Sequence, residues 1–120
     1  MSDFIPFNSV SQKLISKKDR KRISRHIMSL LRSNGLHAEG LITIGPFEQS
    51  EFLDTYDETL PISKEVFDRA YSKFKEELNT LLTSESKNIQ LPLRAKCSLT
   101  FHTSGHASRK PVISWEANYG

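Results

Sequence analysis

The sequence predicts an α+β fold, a small antiparallel sheet with two main helices packed on one face, and three observations carry that expectation. Apolar residues at helical spacing run from Ile23 to Leu31 and again from Phe67 to Leu82. Alternation of apolar and polar residues fills Leu93 to Phe101, and a shorter alternation follows Pro111. Two turn-forming pairs, Asn34-Gly35 and Gly45-Pro46, separate these stretches. With 120 residues and 37% hydrophobic content the chain supports one core, so residues 1–120 read as one domain.

Taken in order, Phe4, Ile5, Pro6 and Phe7 make a short apolar lead-in. Val10, Leu14 and Ile15, then Ile23, Ile27, Leu30 and Leu31, follow helical spacing. The polar stretch from Ser16 to Arg22 interrupts them, and Ser16 has the chemistry of an N-cap. One helix and two are both open at this point. Asn34-Gly35 supplies the stop, because glycine takes the left-handed conformation that closes a helix. Leu41-Ile42-Thr43-Ile44 reads as a strand ended by Gly45-Pro46. Residues Phe47 to Pro61 form an acidic connector with room for a short strand around Glu51 to Tyr56.

The clearest element starts after Ser63, where Ile62 and Phe67 are placed to form a hydrophobic staple. Glu65 suits the positive end of the helix dipole. Phe67, Ala70, Tyr71, Phe74, Leu78, Leu81 and Leu82 then recur every three or four residues, predicting a helix to about Leu82. Thr83 to Asn88 reads as a polar linker. Beyond it Leu93, Ala95, Cys97, Leu99 and Phe101 face one way, and Arg94, Lys96, Ser98, Thr100 and His102 the other. Thr103 to Lys110 reads as a loop, and Val112 to Ala117 as a last strand. The two strands are expected to pair as an antiparallel hairpin.

Several function classes are excluded by composition. A single cysteine, Cys97, allows no internal disulfide, and no Cys/His cluster has zinc spacing, so no metal site is expected. The apolar runs are far shorter than the roughly 20 residues that span a bilayer, so no membrane partner is expected. The opening MSDFIPFNSV lacks the basic and apolar regions of a secretory signal, which points to the cytoplasm. There is no phosphate-cradling glycine loop and no glycine-flanked nucleophile turn, so no cofactor and no catalytic residue is assigned.

Charge is the informative quantity. The net +3 divides into a basic segment and an acidic one. From Lys13 to Arg32 eight cations face one carboxylate, Asp19; from Glu48 to Glu58 five carboxylates face no cation. Lys17, Lys18, Arg20, Lys21, Arg22 and Arg25 are the candidate nucleic-acid contacts, able to displace counterions from phosphates. Glu48, Glu51, Phe52, Asp54, Tyr56, Asp57 and Glu58 are the candidate partner-binding set, with carboxylates steering a basic protein and aromatics anchoring it. A third class of reading is metal-independent RNA cleavage by His102 and His106, with His26 or His37 completing the site.

The layout also resembles a known family. The matching stretches are Tyr56-Asp57-Glu58 through Ser63-Lys64-Glu65-Val66-Phe67-Asp68, then Phe74-Lys75-Glu76-Glu77-Leu78, and Ser98-Leu99-Thr100-Phe101 to Ile113-Ser114-Trp115-Glu116. In order and residue class they resemble bacterial immunity proteins of the YezG type, which neutralise nuclease toxins. Such proteins are usually acidic, and the basic first helix departs from them. The resemblance implies a protein that blocks a toxin's active site and performs no reaction itself. The leading expectation is therefore an immunity or antitoxin-type inhibitor of a nuclease, a non-enzyme. The alternative is a nucleic-acid-binding module.

Overall fold

The computed structural model describes residues 15–55, 62–101 and 110–116. Helix α1 (Lys17–Ser33) is capped by Ser16, whose Oγ accepts the Asp19 backbone N–H at 3.1 Å. Ile23, Ile27 and Leu31 repeat every four residues and are buried. The helix closes on Asn34-Gly35. The Leu36 N–H donates to the Leu31 carbonyl at 3.0 Å and the Gly35 N–H to the Arg32 carbonyl at 2.9 Å, with Gly35 at φ +71°. That pair of bonds satisfies carbonyls the helix end would otherwise leave open.

Strands β1 (Ala38–Gly45) and β2 (Glu51–Thr55) follow. Helix α2 (Lys64–Ile89) is capped by Ser63, whose Oγ accepts the Val66 N–H at 3.2 Å. Strands β3 (Arg94–Phe101) and β4 (Val112–Trp115) complete the described chain. The helix runs on past Leu82 through residues expected to be a linker. Glu85 is buried there against Arg22 of α1, and Ser86 Oγ donates to the Leu82 carbonyl at 2.6 Å. The same Oγ accepts the Leu93 N–H at 2.8 Å, tying the helix end to the start of β3. A polar sequence is helical here because its partners come from elsewhere in the fold.

The strand order is β2-β3-β1-β4. β1 runs antiparallel to β3, from Ala38 opposite Phe101 to Gly45 opposite Arg94. β4 runs parallel to β1, and β2 parallel to β3. The α+β class holds, but the sheet is mixed instead of wholly antiparallel. The expected β3–β4 hairpin is split, with β1 lying between its arms. The reason is length and burial: β1 and β3 hold the fully buried Ile42, Ile44 and Ala95 and occupy the centre. The shorter β2 and β4 take the edges, where short strands present few unpaired groups.

Both helices cover one face of this sheet. Ile23, Ile27 and Leu31 of α1 and Phe67, Phe74, Leu78 and Leu82 of α2 join Ile42, Ile44, Ala95, Cys97, Leu99 and Phe101 in one buried cluster. Phe101 meets Phe67 edge-to-face at 4.8 Å and Tyr71 at 5.0 Å. Each such aromatic pair is worth about 0.5–1.5 kcal/mol beyond burial. On the opposite face, Leu53, Leu41 and Val112 are exposed among the described residues. Register aligns them in one row across the sheet, Leu53 opposite Ser98, Ser98 opposite Leu41 and Leu41 opposite Val112.

Candidate functional site

The acidic connector places β2 at one edge of the sheet. Glu48 and Glu51 are exposed there. Glu51 sits opposite Lys96 in register, and the Lys96 ammonium lies 4.4 Å from the centre of the Phe47 ring. Phe52 corrects the sequence expectation. It points into the helix-covered face, where it meets Tyr71 edge-to-face at 6.3 Å. Lys75 spans the pair, its Nζ 4.7 Å from the Tyr71 ring and 5.7 Å from that of Phe52. Alternation along a strand decides this: with Glu51 and Leu53 on the open face, Phe52 must face the core. The exposed apolar residue of β2 is Leu53, at 69%, an aliphatic side chain outside the aromatic set Phe52 and Tyr56. The side chain of Asp54, with Tyr56, Asp57 and Glu58, lies outside the described residues.

The cations of α1 divide into two kinds. Arg22 is structural: its Nη1 and Nη2 bond Glu85 Oε2 and Oε1, and Nη2 also donates to Asp19 Oδ1 at 2.9 Å. The hydrogen bonds from Arg22, and then from Ser16, hold the Asp19 carboxyl below its usual range. Arg22 likewise depresses Glu85, and its own guanidinium is pushed upward by Glu85 first and Asp19 second. Lys17, Lys18, Lys21 and Arg25, by contrast, are exposed and form no ion pair among the described residues. Arg20 is half-buried.

Glu48 and Glu51 lie toward one edge of the sheet and α1 toward the other. Trp115 of β4 donates from Nε1 to Ser24 Oγ of α1 at 3.3 Å, which places α1 over the β4 edge. Phe52 and Tyr71 place α2 over the β2 edge. Three strand spacings, about 14 Å in all, separate β2 from β4. Among the described residues no ion pair joins Glu48 or Glu51 to α1. Among the described residues, Glu48 and Glu51 therefore do not neutralise the basic helix.

Trp115 was not singled out by the sequence reading as a surface residue. It lines a groove of about 380 Å³ with Lys17, Arg20, Lys21, Ser24 and Arg25. In sequence its one signal is the alternation of Ile113 and Trp115 with Val112 and Ser114, and Trp115 also packs against the core.

The remaining candidates resolve as follows. His26 lies on α1 and His37 just ahead of β1, both exposed, while His102 and His106 lie outside the described residues. Cys97 is buried, and burial pushes its thiol up to about 12, which removes it as a nucleophile at neutral pH. No helix among the described residues is long and apolar enough to cross a membrane.

Comparison with protein-family models, with curated proteins and with solved structures gave no match.

Proposed function

We propose that this chain is a cytoplasmic binding protein of the immunity or antitoxin type, which neutralises a nuclease by docking on its cationic substrate cleft. The observation that carries the reading is the separation of charge: the acidic β2 edge stands across the sheet from α1, with Glu48 and Glu51 exposed. Carboxylates on such an edge substitute for nucleic-acid phosphate in the cleft. Leu53, beside them, supplies the apolar contact that Phe52 does not. β2 pairs only with β3 among the described residues, so its outer edge also offers backbone groups to a partner strand. The resemblance of residues 56–78 and 98–116 to YezG-type proteins supports the same reading.

Co-expression with a nuclease encoded beside this chain tests it. Restored growth and a stable complex are expected. Changing Glu48, Glu51 and Asp54 to Lys should slow association at least about tenfold at low salt, with a smaller effect at high salt. Unhindered killing by the nuclease rejects the proposal.

One observation favours a second reading. Lys17, Lys18, Lys21 and Arg25 are exposed on one helix without carboxylate partners among the described residues, an arrangement suited to nucleic-acid phosphates. Four such contacts give log affinity a slope of about −3 to −4 against log salt. Retention on heparin that does not change with salt rejects it.

A further inference from the structure

We infer that the groove between α1 and the β4 edge takes single-stranded nucleic acid, with phosphates on Lys17, Lys21 and Arg25 and a base against Trp115. The inference rests on the second reading above, phosphate binding by α1, and adds to it the form of nucleic acid and the residue that selects it.

The placement of the cations comes first. Lys17, Lys21 and Arg25 recur every four residues, so they stack along one side of α1 with about 6 Å of rise between them. They line the groove together with Arg20, Ser24 and Trp115, and no carboxylate is among the lining residues. Asp19 does not line this groove, and its carboxylate accepts from Arg22 Nη2 at 2.9 Å. Among the described residues no carboxylate offsets the positive potential along the groove, and it is augmented by the N-terminal end of the helix dipole beside Lys17.

Arg20 adds a specific demand. Its Nε is shielded from solvent and meets no acceptor among the described residues, although the residue as a whole is only half-buried. A shielded donor without an acceptor is unfavourable, so the Arg20 side chain gains by turning its guanidinium outward to a phosphate oxygen in the groove.

Trp115 decides between single and double strands. Trp115 is partly buried against the core and lines the groove, and its bond to Ser24 Oγ fixes the orientation of the indole. A cation line beside a fixed aromatic is the combination that binds unpaired bases, since the faces of bases in a duplex are already covered by their neighbours.

The chain has one tryptophan, so the emission of the unaltered protein reports directly on the proposed contact. It would be titrated with dT12, with U12 and with a DNA duplex of equal length, at low and at moderate salt. Saturable quenching by the two single strands is expected, with little quenching by the duplex. The slope of log affinity against log salt should be about −2, as for three phosphate contacts on a single strand. Changing Lys21 and Arg25 together to Glu should weaken binding at least about tenfold, and Trp115→Leu should weaken single-strand binding roughly 5- to 100-fold. Binding of labelled dT12, seen by anisotropy, without any change in Trp115 emission overturns the base contact and leaves phosphate binding standing. Equal quenching by the duplex overturns the single-strand preference. Absence of binding at low salt overturns both this inference and the reading beneath it.

Discussion

Arg22 holds Glu85 with two nitrogens, Nη1 on Oε2 and Nη2 on Oε1, and so joins the first turns of α1 to the last turns of α2. Glu85 is the buried charged residue of the described core, and Arg22 foremost keeps its carboxyl below the ordinary value near 4.5. A carboxylate depressed in the folded state contributes stability above its unfolded pKa and loses it as pH falls through the lower folded one. Urea unfolding should show the wild-type protein losing stability more steeply than Glu85→Gln below about pH 4.5. At neutral pH the variant should be about 1–2 kcal/mol less stable, since half-exposed Arg22 screens part of the interaction. Parallel pH profiles for the two proteins would show that the pair contributes nothing.

Gly40 is the second point of leverage. It sits at φ +132° opposite Leu99, and a Cβ there would come within 2.1 Å of the Ser98 carbonyl oxygen. That oxygen belongs to the central strand pair and cannot retreat without breaking the ladder. Gly40→Ala should cost at least ~2 kcal/mol, read as a lower urea midpoint. Unchanged stability would mean the pairing of β1 with β3 differs at this position.

Phe52 and Leu53 are neighbours with opposite expectations. Phe52→Ala removes a ring that packs on Tyr71 and under Lys75, so it should destabilise by about 1.5–3 kcal/mol. Leu53→Ser changes an exposed position and should stay within about 0.5 kcal/mol. In complex with a nuclease the order should reverse, with Leu53→Ser weakening affinity in proportion to its contact. A stable Phe52→Ala protein would contradict the inward placement of that ring.

Cys97 is shielded by the core as well as held in its thiol form. Iodoacetamide at pH 8 should label the folded protein at least ~100-fold more slowly than the same protein in denaturing urea. Labelling at equal rates in both would place Cys97 outside the core.

Local signals carried much of the fold into the sequence. Ser16 and Ser63 cap their helices, Gly35 closes α1, and the two-residue alternation of Leu93 to Phe101 gives the buried face of β3. Long-range relations were not legible. Nothing in Val112-Ile113-Ser114-Trp115 says that it pairs with Leu41 to Ile44 and not with β3, because strand order depends on which strands are long and buried enough to take the centre. Glu85 read as linker for the same reason, since its partner lies 63 residues away. In the candidate surfaces, Glu48 and Glu51 stand apart from the cations of α1 among the described residues. The roles of individual residues, Arg22 and Phe52 above all, were decided by partners on other elements.

The split of the last two strands bears on how the protein is made. β1 takes its neighbours from β3 and β4, so its row of Leu41-Ile42-Thr43-Ile44 has no native partner strand until Ser98 has been synthesised. At ordinary rates of elongation that wait lasts several seconds, roughly 3 to 11 for the intervening stretch. Through this interval a strongly β-forming segment stands unpaired on the ribosome. Helix α1 can cover only one side of it. The nascent protein therefore has to reach its final third before its centre can close, and chaperone occupancy should peak on chains halted between β1 and β3.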